Sequence, residues 1–216
     1  MIPILYQDDD IVAINKPEGL ATIPEGAEGR ESLLSSLQPT FPEKLFVVHR
    51  LDKEASGVVL FAKNAAAHRY LNDQFSNRQV SKCYLALVHG IIGESEGRVD
   101  KPLRQFGSGR MGIDPESGKA SVTTFEVMER FTSHTLLRVY LLTGRRHQIR
   151  VHLYSIGHPI VGDLRYGDRT MQSRFLRLML HAAAISLRLP SGEEVTIEAS
   201  VPESFQKGIE AVRGVR

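Results

Sequence analysis

The sequence predicts a single domain, residues 1–216, that mixes short strands with a few amphipathic helices, and three observations carry this. Residues 82–90 alternate, with Cys83, Leu85 and Leu87 on one face and Lys82, Tyr84, Ala86 and Val88 on the other, which is the two-residue period of a strand. Residues 64–76 instead show helical spacing, with Asn64 as N-cap and Ala67, Tyr70, Leu71 and Phe75 as the apolar stripe. No internal repeat, low-complexity tract or linker divides the chain.

The remaining elements follow in order. Two short strands, 2–6 and 11–14, flank the acidic turn at Asp8, Asp9 and Asp10, and turn residues 15–19 end the second. Residues 21–30 are a Gly- and Pro-containing loop. A short helix fits 31–38, closed by Pro39. Residues 46–63 hold apolar runs on either side of His49 to Gly57, with Ser56-Gly57 as a reversing turn. Residues 104–119, with four glycines and no period, read as a long, lightly basic loop, the kind that is usually functional or disordered. Strands are expected at 120–130 and 134–142. Residues 143–157 read as a helix capped by Thr143 or Gly144 and stopped by Gly157, with His147, Arg150 and Tyr154 along one face. Strands at 178–185 and 194–199 and a helix at 202–212 complete the chain.

Composition narrows the class. The chain is 42% apolar and 24% charged, ordinary for a globular protein. Its single cysteine, Cys83, excludes an internal disulfide framework and points to a reducing cytoplasm. The N-terminus lacks a signal-peptide pattern, and no apolar run approaches membrane-spanning length. The net charge of +2 hides an asymmetry: residues 138–177 carry eight arginines, no lysine and two acids, so that segment is +6 and the remainder −4. A basic zone built only from arginine suits bidentate contacts to phosphates.

The chain is organised around His49-Arg50-Leu51-Asp52-Lys53-Glu54-Ala55-Ser56-Gly57, an ionisable cluster set against the apolar run Val58 to Phe61. On extended backbone Arg50 and Asp52 project together while Leu51 faces away. Cations on either side hold Asp52 charged. Taken alone, the cluster also suits a surface ion pair. A metal centre is not expected: His147 and His152 lie about 140° apart around a helix. A hydrolytic serine at Ser56 lacks its usual turn motif. Asp52, Tyr84, the basic stretch 145–152 and the basic loop together suit chemistry on a nucleotide, with an aromatic ring to hold a flipped base and a carboxylate to act at the sugar.

At these residues the chain resembles the RluA-type pseudouridine synthases. The matching stretches are Asn15-Lys16-Pro17-x-Gly19, His49-Arg50-Leu51-Asp52-x-x-x-Ser56-Gly57, Lys82-x-Tyr84-x-Ala86-x-Val88-x-Gly90, Thr143-Gly144-Arg145-x-His147-Gln148-Ile149-Arg150-x-His152, Gly157-His158-Pro159-Ile160-x-Gly162-Asp163 and Leu178-x-Leu180-His181-Ala182. Ala55 departs from the threonine usual in that family. The resemblance implies an α+β fold: a mixed, mainly antiparallel sheet with flanking helices and a central catalytic cleft. It implies isomerisation of uridine to pseudouridine in ribosomal RNA or tRNA without metal or cofactor. By motif position Asp52 is the catalytic carboxylate, Tyr84 stacks on the flipped uracil and Arg150 pairs with Asp52. Arg50 helps extrude the base, and His49, Arg145, His147 and Leu180 are further substrate contacts. The RNA backbone would meet Arg104, Arg110, Lys119, Arg146, Arg165 and Arg169. The expected protein is a monomer that binds neither DNA nor membrane and has no appended N-terminal RNA-binding domain. A non-catalytic RNA-binding protein on the same scaffold is the alternative.

Overall fold

The computed structural model describes residues 2–24 and 31–214, so part of the loop expected at 21–30 lies outside the described residues. Strands β1 (Ile4–Gln7) and β2 (Ile11–Lys16) flank a turn in which the Asp8 carboxylate accepts from the Asp10 and Ile11 amides at 2.8 and 2.7 Å. Helix α1 (Leu33–Leu37) is shorter than expected, because Ser32 caps it in a box with Ser35 and Pro39 tightens its exit into a 3-10 turn. Strands β3 (Phe46–Val47) and β4 (Ser56–Ala62) follow. Ser56 and Gly57 open β4 rather than reversing the chain; the turn lies just before, closed by the Ala55 amide on the Asp52 carbonyl at 3.1 Å. Gly57 has a different reason to be glycine. Its φ is +116°, and a Cβ there would lie 2.1 Å from the Ala182 carbonyl oxygen. Helix α2 (Ala65–Ser76) begins at its Asn64 cap as the stripe predicts.

Strands β5 (Ser81–His89) and β6 (Glu96–Asp100) come next. The loop expected at 104–119 is instead a β-hairpin, β7 (Leu103–Gln105) paired with β8 (Met111–Ile113). Its apolar residues are few but deeply placed: Leu103 and Met111 pack with Val151 and Tyr166. Strands β9 (Val122–Arg130) and β10 (His134–Leu141) form the expected antiparallel pair. Helix α3 (Gln148–Ser155) starts later than the 143–157 pattern suggests and ends at Gly157, φ +86°. A short helix α4 (Arg169–Gln172), strands β11 (Leu180–Arg188) and β12 (Glu194–Glu198), and helix α5 (Glu203–Arg213) close the chain.

These elements group into two compact units. The first comprises residues 1–82 and 182–201. Its strands lie in the order β1-β2-β4-β11, with β12 beside β11 and β3 beside β4. Strand β4 is buried along its whole length. Ala67 and Leu71 of α2 share one core cluster with Ile11, Ala13, Val58, Leu60, Ile185 and Leu187. The second unit comprises residues 83–181 and 202–216, with strand order β5-β10-β9-β6. Every strand pair with a described register is antiparallel.

Candidate active site

In the first unit, Asp52 sits on irregular backbone between β3 and β4 that is held from both sides. Leu51 is buried, Arg50 exposed and Asp52 half-buried, so the expected alternation is present. The Thr22 hydroxyl, itself buried, accepts from the Leu51 amide and donates to the Leu51 carbonyl, each at 3.1 Å. On the other side the Lys53 carbonyl accepts from the Gly19 amide at 2.9 Å. It also accepts from Lys16 Nζ at 3.2 Å. Lys16 is wholly buried and donates as well to the carbonyls of Pro17 and Leu20 at 2.8 and 2.7 Å. The buried ammonium fixes the turn that carries Asp52, since away from water its donors must be met by these carbonyls.

His49 is also a strut. Its Nε2 accepts from the Leu60 amide of β4 at 3.0 Å, and its ring stacks on Phe75 at 5.2 Å. Burial, with the nearby charge of Lys82, pushes its pKa down to about 3, so the ring is neutral with the proton on Nδ1. Only Nδ1 remains for the substrate contact expected of it.

In the second unit, the turn before α3 explains the late helix start. The Thr143 hydroxyl and the Arg145 amide both donate to Gln148 Oε1, at 2.7 and 3.0 Å, while Gln148 Nε2 donates to the Val122 carbonyl and Thr123 Oγ1. Gln148 therefore uses its whole amide to pin residues 143–147 as a turn. His147 caps the helix in the left-handed region at φ +52°, a conformation that costs a non-glycine residue about 1 kcal/mol or more. Arg145 and Arg146 consequently lie exposed on the turn, not in the first helical turn. His152 is structural: Nε2 donates to the Lys101 carbonyl and Nδ1 accepts from Thr123, both at 2.9 Å, and burial lowers its pKa.

Arg150 is buried and gripped by Asp163, whose carboxylate accepts from Nε at 2.7 Å and Nη2 at 2.8 Å. Asp163 Oδ1 also accepts the amides of Arg165 and Tyr166, both at 3.0 Å. Tyr166, 1% exposed, lies under the Arg150 guanidinium at 5.3 Å and the Arg110 guanidinium at 5.0 Å. Its hydroxyl oxygen accepts from the Met111 amide at 3.1 Å and pairs with His147 Nδ1 at 2.8 Å. The face predicted for His147, Arg150 and Tyr154 is thus the face that surrounds Tyr166, with Tyr154 6.5 Å from it.

The other expected residues lie on several elements. Tyr84 lies on β5 opposite Val139 and is 8% exposed, sharing its face with the fully buried Ala86 and Val88. Leu180 opens β11 and is buried. Arg104, Arg110, Lys119, Arg165 and Arg169 are exposed. Arg104 pairs with Asp114 at 3.0 Å, and Arg165 donates to the Gly109 carbonyl at 2.9 Å, so both brace the hairpin. The all-arginine zone is also not one uniform phosphate face: Arg150 and Arg177 are buried, the latter bonded to the Leu178 carbonyl and the Ser204 hydroxyl at 3.0 Å each. Asp163, Tyr166, Thr22 and Gln148 have roles that sequence reasoning missed. Asp163, Lys16 and Gln148 stood inside matched motifs, but a motif does not say which atoms a side chain holds.

The RNA pseudouridylate synthase family profile matches residues 10–155, which includes the anchored Asp52 turn and all of α3. The chain belongs to this family. It is therefore an RNA pseudouridine synthase, an isomerase. The synthase is 40% identical to the ribosomal large subunit pseudouridine synthase C of Escherichia coli (strain K12), over 99% of this chain and 70% of that protein. It is 36% identical to the uncharacterized RNA pseudouridine synthase YlyB of Bacillus subtilis, over 98% and 73%. Among solved structures it resembles human RNA Pseudouridylate Synthase Domain Containing 1, with a TM-score of 0.81 at 29% identity over 100% of this chain and 96% of that one. Human RNA Pseudouridylate Synthase Domain Containing 4 gives 0.82 at 28%, over 97% and 92%. The α+β fold with a mixed, mainly antiparallel sheet is that of these domains.

Proposed function

We propose that the synthase isomerises uridine in large-subunit ribosomal RNA with Asp52 as the acting carboxylate, Tyr84 as the ring that stacks on the flipped uracil and Arg150 as the counter-charge of Asp52. The observation that carries this reading is the anchoring of the Asp52 turn. Thr22, Gly19 and Lys16 hold the residues on both sides of it, while Asp52 itself stays half-buried among Arg50 and Lys53. A turn pinned this tightly suits a carboxylate that must meet a sugar carbon in one geometry. Relatives named as ribosomal large subunit pseudouridine synthases C and D favour ribosomal over transfer RNA as substrate.

The reaction breaks the bond from N1 of uracil to C1′ of the ribose and makes one from C5 to C1′. N1 gains a proton, and the C5 hydrogen leaves as a proton. Attack of the carboxylate on C1′ and a glycal route both use Asp52 as the acting carboxylate. Base flipping must come first, because the uridine cannot rotate inside a stack. A lone cysteine, Cys83, suits action in the cytoplasm.

The test is a comparison of pseudouridine maps in large-subunit ribosomal RNA and tRNA from cells with and without the gene, complemented with wild type or Asp52→Asn. The reading expects one or more ribosomal sites to vanish and to return only with wild type. Loss of tRNA sites alone would move the substrate; identical maps would refute the reading.

A further inference from the structure

We propose that Asp163 and Tyr166 are positioning residues that set the orientation of Arg150, and that Tyr166 ties that orientation to the β7–β8 hairpin. This rests on the reading of Arg150 as part of the acting group. A guanidinium has five N–H donors in a fixed plane, so holding one edge fixes the direction of the other. Asp163 takes one edge, Nε and Nη2, at 2.7 and 2.8 Å. That leaves Nη1 outside the pair and aims it away from Asp163. The Asp163 side chain has no exposed surface, and two backbone amides on Oδ1 prevent it from swinging with its partner. The grip is rigid at both ends.

Tyr166 adds the second constraint. Its ring supports the guanidinium plane from below at 5.3 Å, and its hydroxyl holds the left-handed residue His147. The same hydroxyl accepts from Met111, the first residue of β8. Arg110, one residue earlier and exposed, covers the same ring at 5.0 Å. An RNA phosphate that draws on Arg110 therefore acts on the group that supports Arg150. Tyr166 also shares the small buried apolar cluster of Leu103, Met111 and Val151, so the ring is packed against the hairpin as well as bonded to it.

The test uses the full chain and total RNA labelled with [5-³H]uridine, prepared from cells lacking the gene. Such RNA contains the target whichever molecule carries it, and isomerisation releases the C5 tritium. Asp163→Asn keeps the shape and removes the charge. It should lower kcat roughly 100-fold, the scale of a misplaced reacting group, with KM within about threefold. Tyr166→Phe, which keeps the ring and folds even if Asp163→Asn does not, should lower kcat at least about fivefold and speed hydrogen exchange at the Met111 amide. The deciding comparison is the Arg150→Ala background. If Asp163 and Tyr166 act through Arg150, adding either substitution there changes kcat by less than about twofold. A merely structural role would multiply the losses, and that result overturns the proposal. So does a Tyr166→Phe enzyme with wild-type kcat. If Arg150→Ala itself keeps full kcat, the reading of Arg150 fails and this proposal with it. If Arg150→Ala is inactive while Asp163→Asn and Tyr166→Phe are not, only the positioning fails.

Discussion

Replacing Lys16 by methionine isolates what holds the Asp52 turn. Methionine has nearly the same length and can occupy the wholly buried channel, so the change removes charge and donors rather than volume. Three carbonyls, those of Pro17, Leu20 and Lys53, lose their shared donor at 2.8, 2.7 and 3.2 Å. A hydrogen bond from a charged group contributes about 1.5–3 kcal/mol, so the gross loss over three bonds is on the order of 5–9 kcal/mol. Methionine no longer requires a buried ammonium, which returns several kcal/mol of desolvation. The difference predicts a net destabilisation of about 2–4 kcal/mol. The local effect is larger than the global one, because Lys53 adjoins Asp52. Urea unfolding should show the lower midpoint, tritium release from uridine-labelled RNA a kcat reduced at least about tenfold, and RNA affinity little change. A loss below about 1 kcal/mol with full kcat would show that Thr22 and Gly19 hold the turn without Lys16, and the reasoning would be wrong.

Other expectations follow from the same geometry. Asp52→Asn should abolish tritium release while leaving the melting temperature within about 2 °C and RNA binding intact; residual turnover above about 1% of wild type would remove Asp52 from its role. Gly57→Ala should cost at least about 4 kcal/mol, or prevent folding, since the new methyl meets backbone at Ala182 rather than a movable side chain, and a variant with normal stability would contradict the register there. His49 binds its proton only near pH 3 when folded but near 6.5 when unfolded, so the unfolded chain carries the extra proton between those values. Stability should therefore fall as pH drops from 6.5 toward 3, by at most about 1.4 kcal/mol per unit from this residue, and His49→Gln should flatten that slope. Lys119→Gln and Arg146→Gln should each reduce the salt dependence of RNA binding by about one unit of log–log slope without changing kcat; unchanged slopes would place the RNA elsewhere.

Much of the secondary structure was legible because it is local. Helix α2 begins at Asn64, and β9 and β10 lie where alternation put them, because capping and side-chain period act within a few residues. The errors have a common cause. The 104–119 stretch looked formless since its hairpin is secured by Tyr166, about fifty positions later. Helix α3 starts late because Gln148 spends its amide on Val122 and Thr123, partners that no helical pattern reveals. Gly57 has the look of a turn residue in the sequence, but its need for glycine comes from the closeness of Ala182, 125 positions later.

The stretch from His49 to Gly57 shows the same division. Its residue types and order were enough to indicate a carboxylate among cations beside a buried strand, and with the other motifs to indicate a pseudouridine synthase. Motifs record which groups a reaction requires, and those groups are written in the chain. The tertiary structure alone decided how they are held. Lys16 and Thr22 clamp the turn of Asp52, His49 is a neutral strut for β4, and Asp163 with Tyr166 grips Arg150. These partnerships join residues 11 to 37 positions apart, and only a folded chain brings their atoms into contact.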